Sequence, residues 1–209
     1  MLSKLRLEAL SDGLFAIVFT LLVIEIHVPE IHGAVTDALL WQELLHLGPL
    51  FVGYFVSFVV LAMFWLSHNF FYAHFVKEIN RTLLLLNIVY LSFISLIPFS
   101  AHLIGSYPAS PLAITVYGVN VLIIGLTNAV ILWYARASNE IDTAHIPKRL
   151  FLQAQFRSLL TPACTVLGIL VAHVSIPLAL LLYAFPIVFN IVPGSLNTLE
   201  RLLRFELGK

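Results

Sequence analysis

Ile17, Thr20, Leu21 and Ile24 recur at i, i+3, i+4 and i+7, which puts them on one stripe of a helix. An aliphatic stripe that lines a pore forms a dry constriction, and such a constriction gates and selects by controlling how an ion sheds its water. A stripe that meets another helix is packing, the more ordinary case, and periodicity alone does not separate the two. Thr20 is the only polar side chain between Gly13 and Glu25. Its hydroxyl can bond back to the carbonyl of residue 16.

One end of this stripe carries Arg6, Glu8, Ser11 and Asp12, and a later segment carries Trp65, Ser67, His68 and His74. Ionisable side chains within an apolar segment are costly and are read first as functional. Asp12 is a candidate partner for Arg6, within the chain or across helices. His68 falls at a similar depth, can hydrogen-bond Asp12 or Ser11, and titrates near neutral pH. The plainer reading leaves Arg6, Glu8 and Asp12 in the headgroup layer and His68 among interfacial aromatics. Glu25-Ile26-His27 and Glu30-Ile31-His32 offer metal-type ligands, but no third ligand stands at a sensible spacing, and no metal is expected. Thr115-Val116-Tyr117-Gly118 has the wrong order for a carbonyl filter and sits within an apolar segment. No phosphate-binding glycine loop, nucleophile elbow or His-Glu-x-x-His is present, so no enzyme activity or cofactor is expected.

The elements that must position these residues follow from composition. The 209 residues contain 11 Lys+Arg and 11 Asp+Glu; charged residues make up 11% and hydrophobic residues 60%, with mean hydropathy +0.99. An ordinary soluble domain is about 25% charged. A chain this apolar cannot hide its surface from water. A soluble enzyme, a disordered chain and a nucleic-acid binder are disfavoured. Cys164 is the single cysteine, so there is no disulfide framework.

Charge-free runs locate the membrane segments. They span 54 residues between Arg81 and Arg136, 42 between Arg157 and Glu200, and 33 between Glu43 and Lys77. A helical crossing needs about 20 residues. The longest run divides at Gly105–Pro111 and the next near His173–Pro177, both turn-rich. A first crossing must carry Arg6, Glu8, Asp12 and Glu25 near its ends. The segment after it lacks the small residues of a signal-peptide cleavage site. The expected fold is an all-α polytopic membrane protein: one domain over residues 1–209, with six transmembrane helices at about 4–28, 49–74, 81–105, 111–136, 155–174 and 177–193. Six crossings put all 11 basic residues on one side and leave Glu30, Asp37 and Glu43 opposite. The positive-inside rule then places both termini in the cytoplasm, and five or seven helices would break that sorting. Helices one to three hold most of the polar residues at membrane depth. The second half is expected to pack or face lipid.

Arg6, Leu10, Ser11, Asp12, Gly13, Phe15-Ala16-Ile17 and Thr20-Leu21-Leu22-Val23 resemble the first-helix signature of the transmembrane protein 175 family. Leu10 departs conservatively from the family's usual Phe. Trp65 with His68, and Asn87 followed by Leu96-Ile97-Pro98-Phe99, resemble the ends of its second and third helices. The specific matches cover about the first 100 residues. The family comprises endosomal/lysosomal potassium channels and bacterial relatives, and one six-helix unit looks like the bacterial form. The resemblance implies a homotetramer in an inner (plasma) membrane, surrounded by lipid, with the first helix of each subunit around a central pore permeant to potassium ions. It implies that Ile17 is the narrowest hydrophobic point, with Leu21 and Ile24 as further layers and Thr20 between them. It also implies a cytoplasmic-side polar network of Arg6, Ser11, Asp12 and His68. The rival expectation is a proton-coupled secondary transporter using Asp12 and His68, although paired broken helices and repeats are not apparent.

Overall fold

The computed structural model describes residues 3–31, 33–138, 141 and 146–191, and among these all regular structure is helical. The helices are α1 (Lys4–Ile24), α2 (Asp37–His46), α3 (Gly48–Phe75), α4 (Arg81–Ile94), α5 (Ile97–Ser106), α6 (Pro111–Ala137), α7 (Lys148–Val171) and α8 (Ile176–Ile191). Five segments are long and apolar enough to cross a membrane, counting α4 and α5 as one, and Ile176–Asn190 is a shorter sixth.

Local chemistry sets the boundaries. Ser3, Thr36, Asn80 and Ser110 cap α1, α2, α4 and α6, each accepting a backbone N–H three residues on. Pro111 follows its cap at the first helical position, where it loses no hydrogen bond. The first helix stops at Ile24 rather than near Val28. The residue before Pro29 is biased away from the helical region, and the chain leaves the helix before reaching it. α7 begins at Lys148, seven residues earlier than composition suggests, and ends at Val171. Charged residues are good helix formers outside lipid, so hydropathy marks the membrane boundary and not the helix start. The expected third crossing is broken between Ile94 and Ile97. The ring of Pro98 meets the carbonyl of residue 94 and provides no N–H to it, which interrupts the ladder. The outer loop contains α2, which hydropathy does not reveal because the helix is short and polar on one side. The expected end of the last helix at 193, His32, and the basic residues Arg201, Arg204 and Lys209 lie outside the described residues.

α1 packs against α3, α4 and α5, while α6, α7 and α8 pack together and meet the first group through α3–α8, α4–α6 and α5–α6. Tyr72, Tyr90, Tyr117, Phe15, Phe64 and Phe75 are the largest fully buried side chains. Close approach of α6, α7 and α8 depends on glycine. A Cβ at Gly118 or Gly168 would collide with the Tyr183 ring, which sits against both helices and donates its hydroxyl to Ile114 O at 3.2 Å.

Candidate pore helix and its polar anchor

α1 has two faces. Leu7, Ser11, Phe15, Val18 and Leu22 are buried against the rest of the chain, with spacings of three and four residues. The opposite face carries the aliphatic stripe. Ile17 is 60% exposed, Leu21 38% and Ile24 61%, and Thr20 beside them is exposed. The stripe therefore touches little of its own chain. Thr20 Oγ1 donates to Ile17 O at 2.7 Å, one residue nearer than the carbonyl anticipated from helix geometry. Its hydroxyl proton is thus held by the backbone, and its oxygen lone pairs remain on the exposed face.

Helix lengths bring a second group together. Ser11 is seven residues into α1, Asn87 is six into α4, and His68 is seven before the end of α3. At 1.5 Å per residue each lies about 10 Å from the same end of the bundle. Ser11 and Asn87 are fully buried, and His68 is nearly so. Ser11 Oγ donates to Leu7 O at 2.9 Å, so its oxygen must accept from elsewhere. Asn87 Nδ2 supplies that hydrogen at 3.1 Å. Asn87 Oδ1 is then turned to His68 Nε2 at 2.8 Å, which fixes Nε2 as the donor. The run His68→Asn87→Ser11→Leu7 O is directional and ties three helices. Tyr90 stacks on His68 with ring centroids 5.6 Å apart and planes 15° apart. Phe15 and Tyr72 close the other sides.

The expected quartet of Arg6, Ser11, Asp12 and His68 is divided by this arrangement. Ser11 and His68 are joined, but through Asn87. Asp12 is exposed and accepts the indole N–H of Trp65 at 3.0 Å; it bonds neither His68 nor Arg6. The reason is angular, because consecutive residues on a helix point about 100° apart, and Ser11 already takes the inward direction. The Arg6 side chain is exposed and makes no hydrogen bond or ion pair among the described residues. Lys4 and Glu8 pair one turn apart at 3.6 Å. Asn87 and Trp65 are the partners that residue-type reasoning passed over. The signal for Trp65 was available, since an indole N–H at membrane depth seeks an acceptor and Asp12 is the carboxylate at matching depth.

At the other end of α1, Glu25 lies 3.6 Å from His102 Nδ1 on α5. His27 bonds the carbonyl of Glu25. Among the described residues no three His, Cys, Asp or Glu side chains gather as metal ligands would. Thr115 and Tyr117 lie inside α6, where Tyr117 pairs with Ser57 at 3.3 Å.

Comparison with known proteins places the likeness in sequence and in fold. A family model described as Endosomal/lysosomal potassium channel TMEM175 matches residues 6–98, the part that contains α1, α3 and the whole polar anchor. A potassium channel of Streptomyces collinus is 29% identical over 195 residues, which is 90% of this chain and 93% of that protein. A potassium channel of Chamaesiphon minutus is 34% identical over 115 residues, 54% of this chain and 56% of that one. The endosomal/lysosomal proton channel TMEM175 of Gallus gallus is 36% identical over 116 residues, but this chain covers only 22% of its length. The crystal structure of a lysosomal potassium-selective channel TMEM175 homolog from Chamaesiphon minutus superposes with a TM-score of 0.78 at 24% identity, covering 90% of this chain and 96% of that one. With helices apolar enough to cross a bilayer, a first half that resembles the TMEM175 family and a fold shared over nine-tenths of its length with a solved TMEM175 homolog, this multi-pass membrane chain is similar to the TMEM175 ion channels.

Proposed function

We propose that the chain is a potassium-permeable leak channel, assembled as a homotetramer with α1 of each subunit facing the axis. The observation that carries this reading is the exposed aliphatic stripe on a helix whose opposite face is fully packed. Ile17, Leu21 and Ile24 become three successive rings, with Thr20 between the first two. A ring of four Ile17 side chains forms a dry constriction, through which the larger and less tightly hydrated cation passes at lower dehydration cost. The Ser11–Asn87–His68 run and the Asp12–Trp65 pair hold the base of α1 on α3 and α4. Arg6 lies free for contacts between subunits at that same end. No S4-like ladder of arginines is present, so opening by moving charges is not expected. The 11 basic residues sort to one side of six crossings, which supports cytoplasmic termini in a cell's inner membrane.

Vertebrate relatives bear the name proton channel, which keeps proton movement as the second reading. The polar run argues against a wire through it. The Asn87 amide separates His68 from Ser11, and the run ends on a backbone carbonyl.

Purified protein in liposomes under a potassium gradient decides the matter. Passive flux whose reversal follows the potassium Nernst potential is expected. Obligatory proton coupling would overturn the channel reading, and reversal at the proton potential would overturn potassium permeation in favour of the second reading. Ile17→Asn is expected to raise sodium permeability severalfold relative to potassium, and an unchanged ratio removes Ile17 from the constriction.

A further inference from the structure

The aliphatic stripe of α1 ends at a carboxylate. Glu25 follows Leu21 by four residues and Leu22 by three, so it stands on the shoulder between the exposed stripe and the packed face. It is the first charged residue after Asp12, and the last turn of α1 carries no basic residue. The carbonyls that end a helix hold a partial negative charge, which favours a cation. Here no basic side chain of α1 offsets that charge, and the Glu25 carboxylate adds to it.

One group on a neighbouring helix opposes it. His102, on α5, brings Nδ1 to 3.6 Å from Glu25 Oε2. That nitrogen is shielded from solvent and makes no hydrogen bond, while Nε2 lies 3.2 Å from Ser106 Oγ one turn on. Ser106 thus aims the imidazole so that its other nitrogen faces the carboxylate. The Glu25 and His102 side chains are 41% and 38% exposed, so water and ions reach the pair. Around His102, the outer turns of α3 and α6 that pack on α5, residues 48–54 and 111–115, hold Tyr54 as their one titratable group. Tyr107 closes α5 itself, and the exposed His27 bonds the carbonyl of Glu25. Among the described residues Glu25 and His102 have no other ionic partner.

We propose that Glu25 draws monovalent cations to the outer mouth of the pore and that His102 cancels this charge in acid. The proposal rests on the reading of α1 as the pore helix, since a symmetry axis along the stripe turns one Glu25 into a ring of four beyond Ile24. With His102 neutral, the ring keeps its charge and raises the local potassium concentration. An imidazole gains its proton as pH falls from about 8 to about 5. Each protonated His102 then offsets one Glu25, and the potassium concentration at the mouth falls.

Potassium flux through proteoliposomes of the full chain, with the same pH on both sides, tests this. At about 10 mM potassium, where charges act over about 30 Å, Glu25→Gln should lower flux about tenfold near neutral pH. At about 1 M, where their range is about 3 Å, it should match wild type. That salt dependence separates a lost charge from a damaged fold. Glu25→Asp, which keeps the charge, should retain most of the low-salt flux. Wild-type flux at low salt should fall severalfold between about pH 7.5 and about pH 5.5. His102→Gln should abolish that fall, and His46→Gln, which alters a histidine beside Glu43 on α2, should leave it. Full low-salt flux in Glu25→Gln overturns the proposal and leaves the channel reading standing. An acid response that survives His102→Gln overturns the role given to His102. Absence of wild-type flux at both concentrations overturns the channel reading and the proposal together.

Discussion

Asn87 is the residue on which the base of α1 depends. It is fully buried and uses both ends of its amide, one toward Ser11 and one toward His68. Asn87→Leu keeps the volume and removes both bonds. It leaves the Ser11 oxygen without its donor and His68 Nε2–H without an acceptor. Interhelical hydrogen bonds within membranes average about 0.6 kcal/mol, while a stranded buried polar group costs about 1–3 kcal/mol. The second effect dominates, and a loss of roughly 2 kcal/mol is expected, read as a lower melting temperature in detergent. An unchanged midpoint would mean that the three helices do not need the run. Trp65→Phe should cost less, because Asp12 is exposed and can be hydrated once its indole partner is gone. These roles were only half legible in the sequence. Residue type marks Ser11, Asp12 and His68 as unusual at their depth, but which of two adjacent residues points inward depends on helix phase. The phase came from the tertiary contacts of Leu7 and Phe15. Asn87 looked like one amide among several until helix lengths placed it level with His68.

At the scale of elements, the crossings were legible because lipid leaves one solution for the backbone, the helix, and hydropathy reports its length. The breaks at Gly105–Pro111 and His173–Pro177 fall where the turn residues put them. The early start of α7 was not legible, since it does not alter hydropathy; the fracture of the third crossing was written in Pro98, which hydropathy alone passes over. How closely α6, α7 and α8 approach was hidden for the same reason: glycine scores as neutral whether or not a ring sits on it. A methyl at Gly118 meets the Tyr183 hydroxyl and Ile169 Cγ1. Gly118→Ala should therefore cost about 1–3 kcal/mol, the usual range for overpacking. Tyr183→Phe alone should cost about 0.5–1.5 kcal/mol through the bond to Ile114 O. The two changes share the hydroxyl, so the double variant should be more stable than the sum of the single losses. Additive losses in detergent melting would show that the ring does not set the spacing of these helices.

For the whole molecule, the channel reading turns on what covers the aliphatic stripe of α1. Exposure of 60% at Ile17 and 61% at Ile24 fits lipid as well as it fits a symmetry axis, because both are apolar neighbours for isoleucine. The two differ in water. A charged thiol reagent pays several kcal/mol to enter hydrocarbon, but it reaches a side chain that lines an aqueous path. Single cysteines at positions 17, 18, 22 and 24, each in a Cys164→Ala background, separate the cases in intact liposomes. On the axis, Ile24→Cys should react fastest and its modification should suppress potassium flux. Ile17→Cys should react more slowly, because a narrow ring admits the reagent poorly. Val18→Cys and Leu22→Cys point into the packed face and should stay unmodified, so reactivity follows the helical repeat. On a lipid-facing stripe none of the four would react. Uniform reaction would mean that α1 is not packed on α3, α4 and α5 as described. Only reaction at 17 and 24 with protection at 18 and 22 is compatible with four α1 helices around a conducting axis, and chemical crosslinking to a four-subunit species should accompany it.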